Sequence, residues 1–259
     1  MTRRNLVQAA SAAVSAGSLA SASPKPALID MVLIKMRNGM VNQRQLMTEY
    51  LGKAYLPALK RAGVKVVGVF SSTIAPEAPF FMALASHASF AEMEAREARL
   101  GADTELRKAT AELLKQTPTP YVRMERSLLR GFSTVPDIEV PPLEGRKSNR
   151  IFEVRIYESN NQETLRRKVG MFDNGEIAIF RKTGLQPVFF GETIFGRNMP
   201  NLTYMLAFDD LAAREKNWRA FVSHPEWVKL RATPGLSDAE IVSNISNMIL
   251  SPLPFSDIR

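Results

Sequence analysis

An α+β fold, built from two tandem βαββαβ halves that close into one barrel, is what this sequence predicts, and three observations predict it. The first is an internal echo. "KTGLQPVFFG" (Lys182 to Gly191) stands 121 residues after "RAGVKVVGVF" (Arg61 to Phe70), and in both a basic residue lies two places before a glycine, Gly63 or Gly184, with a run of strand composition behind it. The second is that the same offset holds without a gap from Arg61 to Phe90 and extends outward from there. The third is that helical and strand periodicities follow one another in the same order in both halves.

The elements can be justified in turn. The first half reads as strand 28–36, helix 43–62, strands 64–74 and 79–87, helix 90–116 and strand 120–131. The second reads as strand 150–158, helix 161–183, strands 185–195 and 201–208, helix 211–231 and strand 244–251. Leu51, Leu56 and Leu59 fall on Phe172, Ile177 and Phe180, the apolar positions of the first helix of each half. Gly63 and Gly184 end those helices, with a positive φ expected at both. Pro79 and Pro200 open the next strand. Ser89 and Asp210 are equivalent N-caps before a charged helix, and Ser89 with Glu92 spells a capping box. Between the halves "STVPDIEVPPLEGRKS" carries three prolines and mixed charge, as a linker does. Each βαββαβ unit is ferredoxin-like, an antiparallel sheet covered by helices on one face only. Two such units can bury their bare faces against each other. The organisation expected is therefore 1–22 as an export segment, 28–132 as the first half, 133–149 as the linker and 150–259 as the second half.

The chain of 259 residues is 45% hydrophobic and 23% charged, as a soluble globular protein is. Its net charge of +8 would permit nucleic-acid binding, but the basic residues are spread along the chain and mixed with acids, as in "RLGADTELRK", so no nucleic-acid partner is expected. Cysteine is absent, which excludes disulfides, zinc–thiolate sites and thiol nucleophiles. No run approaches the roughly 18 apolar residues of a membrane span.

The opening "MTRRNLVQAASAAVSAGSLASASPKP" has no acidic residue and reads as a targeting segment. "TRRNL" resembles a twin-arginine export signal, with Arg3 and Arg4 as the pair, and Ala20-Ser21-Ala22 offers a cleavage site. Cleavage there would leave Ser23 first and lower the charge to +6. The expected location is periplasmic or secreted.

"FDDLAAREKNWRAFVSHPEWVKL" (Phe208 to Leu230) resembles the NIPSNAP family of the dimeric α+β barrel superfamily, through Asp210, Leu211 and Arg214 and through the "HPEW" of His224 to Trp227. "FEVRIYE" (Phe152 to Glu158) is similar to that family's opening strand, and "LPALKRAGVKVVG" (Leu56 to Gly68) to its helix-to-strand passage. The first half is divergent, without the Glu-x-Arg-x-Tyr pattern and without "HPEW". The resemblance implies the barrel fold and pairing between like units, and much less a reaction.

Four residues stand out as ligand-binding candidates. Glu153, Arg155 and Tyr157 share one face of a strand, which is expected to look into the barrel, while Phe152, Val154 and Ile156 face the helices. At the 121-residue offset the first half has Val32, Ile34 and Met36, so one wall would be polar and the other apolar, as suits an amphipathic ligand. His87, at a strand end, could serve as a base or haem ligand. His224 reads as a capping residue region, Ser223 with Glu226 forming a capping box around Pro225. Two histidines without an acidic cluster give no metal site, and no cofactor is expected. No G-x-S-x-G, G-x-x-x-x-G-K-[ST], H-E-x-x-H or G-x-G-x-x-G occurs, so serine-hydrolase, P-loop, zincin and dinucleotide chemistries have no sequence support.

The function expected is that of an exported barrel that binds a small amphipathic ligand or a protein partner without catalysis, as a monomer or a homo-oligomer. The alternative is a cofactor-independent monooxygenase or haem-handling enzyme, which the superfamily resemblance implies.

Overall fold

The computed structural model describes residues 25–37, 42–116, 120–144 and 150–259. The export segment lies outside the described residues. In chain order the elements are β1 (Leu28–Met36), α1 (Gln43–Tyr50), α2 (Leu56–Arg61), β2 (Gly68–Ile74), β3 (Phe80–His87), α3 (Phe90–Ala102), α4 (Thr104–Leu114) and β4 (Tyr121–Gly131). The second half repeats the order with β5 (Ile151–Glu158), α5 (Gln162–Met171), α6 (Ile177–Lys182), β6 (Gln186–Phe195), β7 (Asn201–Phe208), α7 (Leu211–Ser223), α8 (Pro225–Arg231), the one-turn α9 (Asp238–Ile241) and β8 (Asn244–Pro252).

The eight strands close into one antiparallel barrel in the order β1-β3-β2-β8-β5-β7-β6-β4. Each half supplies a four-stranded ferredoxin-like sheet. The two sheets join edge to edge, β2 on β8 through Phe70–Pro252 and β4 on β6 through Gly131–Gly191. Helices cover the outside. The apolar interior draws on every strand, with Ile29, Met31, Phe70, Leu84, Leu129, Phe152, Val154, Val188, Met205 and Leu250 all buried there. Two further cores lie outside the barrel wall, one under the helices of each half.

The duplication extends to details. A single π-helical turn links α1 to α2 at Leu51–Tyr55 and α5 to α6 at Phe172–Glu176, 121 residues apart. Gly63 and Gly184 follow those helices with φ of +92° and +80°. Ser89 and Asp210 cap α3 and α7 by accepting from Glu92 N and Ala213 N. Both long helices then break at equivalent residues. Asp103 caps α4 through Leu106 N, and His224 caps α8 through its Nδ1, which accepts from Glu226 N. The cap of "SHPEW" is thus His224 itself, because the Ser223 hydroxyl turns back to donate to Arg219 O.

Pairing begins at Gly68 rather than at residue 64, because Val67 is engaged by the C-terminal tail: its N–H donates to Asp257 Oδ2 and its carbonyl accepts from Asp257 N. The tail therefore crosses onto the first half, with Ile258 buried against the barrel core. The start of the linker is also packed. Val135 is buried next to Phe132 at the end of the first half, and Glu139 N donates to Val188 O.

Glycine substitutions test the repeat. Gly184→Ala must place its Cβ about 3.0 Å from Asn217 Nδ2 at a left-handed φ, so a loss on the order of 1 kcal/mol or more is expected. Gly63→Ala pays the backbone penalty alone, since its Cβ would meet open space. Gly101, inside α3 with open space around it, should gain up to about 1 kcal/mol as alanine. Thermal melts of the three variants check the order.

Candidate functional site

Strand alternation assigns Glu153, Arg155 and Tyr157 to one face, and the structure turns that face outward, toward the helices. The expectation that they line the barrel is corrected: the interior is filled from this strand by Phe152, Val154 and, in part, Ile156. The physical reason is the set of partners. Glu153, with no exposed surface, accepts from Arg214 Nε and Nη2 (3.0 and 2.6 Å) and Trp218 Nε1 (2.8 Å) on α7, from Asn247 on β8 (3.1 Å) and from Arg155 Nη1 (3.1 Å). A carboxylate so placed is stable only where donors surround it, and α7 provides them. Burial alone would raise the Glu153 carboxyl, but the Arg214 bonds, Arg155, Asn247 and Trp218 outweigh it and hold the group below its ordinary range.

Arg155 lies over the Trp218 ring at 4.8 Å and donates to Tyr157 Oη at 3.2 Å. Next to it Lys168, fully buried on α5, reaches Glu176 (3.3 Å) and Asp238 (3.0 Å) beside the rings of Phe172 and Trp227. Around these charges Phe180, Phe190, Tyr204 and Phe221 interlock, with Phe190 and Tyr204 stacked at 4.8 Å. The second half is therefore solid between sheet and helices.

The first half is built differently at the same place. Asp30 pairs with Ala85 and Leu128, and Glu153 with Leu206 and Ile249. Each of those partners stands 121 residues from its counterpart, so Asp30 is the equivalent of Glu153 although the two are 123 apart. The equivalence of Glu153, Arg155 and Tyr157 with Val32, Ile34 and Met36 is corrected accordingly; the offset slips by two residues in the first strand, and Val32 stands where Arg155 does. Both halves thus bury a carboxylate under their second long helix.

Asp30 accepts from Arg126 on β4 at 2.8 and 2.5 Å and meets His87 Nε2 at 3.3 Å. Burial raises its carboxyl, and the His87 and Arg126 bonds more than reverse this. His87 Nδ1 faces Arg96 Nη1 at 3.2 Å. Because a guanidinium only donates, Nδ1 is the acceptor and Nε2 carries the proton toward Asp30. Both ring nitrogens are engaged and the ring is buried. His87 thus lies in the other half from the Glu153 group.

Above this cluster the first half leaves space. At the positions of Trp218, Phe221 and Trp227 it has Glu97, Leu100 and Leu106, and for Tyr204, Phe190 and Phe180 it has Ala83, Val69 and Leu59. A cleft of about 360 Å³ results, lined by Val32, Tyr55, Leu100, Leu106, Met124 and the Glu97–Arg126 pair. Sequence reasoning missed Tyr55, Glu97 and Arg126. The signal was present in the repeat as aromatic positions in one copy answered by small or charged ones in the other. Tyr55 ends the π turn and makes no hydrogen bond through its hydroxyl among the described residues; burial, then Asp30, push that phenol up to about 12. The residues do not fit a haem, since His87 has no free nitrogen to offer and no other histidine lines the cleft. No group of three or more potential metal ligands occurs among the described residues.

Residues 152–257 match the NIPSNAP family model. The matched segment contains the whole Glu153, Arg155, Tyr157, Arg214 and Trp218 cluster. Across most of the chain, solved structures share the barrel. A Lactobacillus acidophilus protein proposed to be a monooxygenase is 8% identical over 88% of this chain and 94% of its own, with a TM-score of 0.56. One from Fusobacterium nucleatum, proposed to have the same activity, is 6% identical over 88% and 93%, with a TM-score of 0.58. An uncharacterised NIPSNAP-like domain protein from Burkholderia xenovorans is 23% identical over 42% of this chain and 90% of its own, with a TM-score of 0.38. At such identities the first two show the fold alone, an α+β barrel, here closed by one chain. No curated protein matches the chain. Among the described residues no helix is long and apolar enough to cross a membrane.

The buried carboxylates set an acid limit. Since Glu153 and Asp30 lie below their ordinary range when folded, their contribution is complete above about pH 4, the unfolded value, and fades as pH falls through the folded one. Glu153→Gln leaves Arg155 and Arg214 facing a neutral group and should cost about 3–5 kcal/mol at pH 7. The variant should also lose less on acidification than the parent. Urea unfolding at pH 7 and at about pH 3, below the unfolded value, measures both effects.

Proposed function

We propose that the protein is a small-molecule binder whose site is the sheet–helix cleft of the first half, and that the NIPSNAP half is its solid scaffold. One observation carries this reading: the space that Trp218, Phe221 and Trp227 fill in one copy is left open by Glu97, Leu100 and Leu106 in the other. A ligand taking that space is flat and largely apolar. Tyr55 supplies a hydroxyl for one polar oxygen on it, and the Glu97–Arg126 pair marks the solvent end.

Titration of the purified protein with a naphthol or naphthoquinone probe should give saturable binding. Leu100→Phe with Leu106→Trp should abolish it without lowering the melting temperature, because the new rings bury apolar surface. Tyr55→Phe should weaken it about tenfold, the value of one net hydrogen bond. Lack of saturable binding, or binding indifferent to the filled cleft, overturns the reading. A cofactor-independent oxygenase is the second reading, favoured by the unpartnered Tyr55 phenol in the same cleft. Its mark would be oxygen uptake with the naphthol probe that Tyr55→Phe removes.

We also propose export through the twin-arginine route, on Arg3, Arg4 and the acid-free Ala/Ser run closing in Ala20-Ser21-Ala22. N-terminal sequencing from a native host should find Ser23 first. Arg3→Lys with Arg4→Lys should retain the chain in the cytoplasm; an intact Met1 in cytoplasm for the parent overturns the proposal.

A further inference from the structure

A second cavity, of about 280 Å³, opens at one end of the barrel and is separate from the sheet–helix cleft. Its depth can be read from the register. Glu158, Asn201 and Asn244 lie side by side at the rim; Ile156, Thr203 and Ser246 lie one step below; Val154, Met205 and Met248 lie one step below that. From rim to Met248 is four residues of strand, about 13 Å. The polarity falls continuously along that path, from carboxylate and amides through hydroxyls to methionines. Met31 and Phe80 complete the apolar end from the first half.

The charges at the rim are unequal. Lys35 and Arg197 are the cations, and Glu77, Glu125 and Glu158 are the anions. Lys35 pairs with Glu77 and with Glu125 (2.8 Å), and Arg197 with Glu125 (2.8 Å) and Glu77 (3.6 Å). These four neutralise one another and tie the loop after β2 to the loop after β6. Glu158 stands apart: among the described residues its carboxylate accepts only from the neutral amides of Asn198 (3.1 Å) and Asn244 (2.9 Å). Although the whole chain is basic at +8, this mouth carries one uncompensated negative charge above an apolar shaft.

We propose that the barrel mouth binds a primary alkyl- or arylalkylamine, its ammonium on Glu158 and its apolar tail directed toward Met248 and Met31. An ammonium supplies the missing countercharge in a site partly withdrawn from water, where a charged hydrogen bond is worth more than at the surface. Three rotatable donors also suit the Glu158 carboxylate and, one step below it, the Ser246 hydroxyl, which has no partner among the described residues. A carboxylate ligand would instead meet Glu158 with like charge. The proposal does not rest on the cleft reading.

Calorimetric titration of the full chain at pH 7 with n-octylamine, n-octanol and octanoate tests it. Octylamine should bind with one site, and octanoate at least tenfold more weakly. Glu158→Gln should weaken octylamine about tenfold and leave octanol unchanged. Met248→Trp, which fills the shaft, should abolish binding of both, and the Leu100→Phe, Leu106→Trp variant should bind octylamine as the parent does. Octanoate binding as tightly as octylamine, an unaffected Glu158→Gln protein of parental melting temperature, or no octylamine binding overturns the proposal. Octylamine binding that survives Met248→Trp overturns it too, by placing the amine outside the barrel.

Discussion

The structure depends on two edge pairings, β2 with β8 and β4 with β6. A ferredoxin-like sheet covers only one face with helices, and here each uncovered face is apolar except at the end that forms the barrel mouth. Closing the edges hides both faces at once and pairs every strand on both sides over at least part of its length, which limits the usual liability of an open sheet. The rest follows from closure. The C-terminal tail and the linker can pack against the first half and the barrel only because the two sheets are held in fixed relation. The mouth acquires its ring of polar residues only because the ends of β1, β5, β7 and β8 are brought to one rim.

Within that frame the two copies have diverged in the layer between sheet and helices. The second half fills it with interlocking aromatic rings, a buried lysine and a half-buried arginine, and both of those cations are paired with carboxylates. The first half holds the same buried carboxylate position with Asp30 but replaces rings by leucine, valine and alanine. Each replacement forgoes on the order of 1–2 kcal/mol of apolar burial. Such a loss persists where the space is used, and it separates a cleft open to solvent from the dense packing expected of an ordinary core.

Most of the fold was legible in the sequence because its signals are local. The helix-ending glycines, the caps at Ser89 and Asp210 and the prolines before β3 and β7 each act within a few residues, and each falls at the same offset in the two copies. The breaks at Asp103 and His224 were less legible, since the charged periodicity runs straight through them and only the backbone turn reveals a second cap. Strand β2 starts later than its composition suggests, because Val64 N turns back to Leu59 O and Val67 finds its partner in the tail, almost two hundred residues away.

The site was less legible, for a reason that lies in strand geometry. Alternation divides a strand into two faces but does not say which is inside. In "FEVRIYE" the polar face looked like a barrel lining, since charges in a sheet are commonly turned away from the core. The deciding fact is on another element: Arg214 and Trp218 of α7 offer five-membered-ring and guanidinium N–H donors at the distance Glu153 requires. The slip of two residues between β1 and β5 then hid the match with Asp30, because an even slip preserves the face and leaves the hydrophobic pattern unchanged. Only the pairing register, Asp30 opposite Ala85 and Glu153 opposite Leu206, distinguishes the two alignments. A duplicated chain thus carries its own control: where the same backbone position is full in one copy and empty in the other, the difference belongs to side-chain choice and not to the fold.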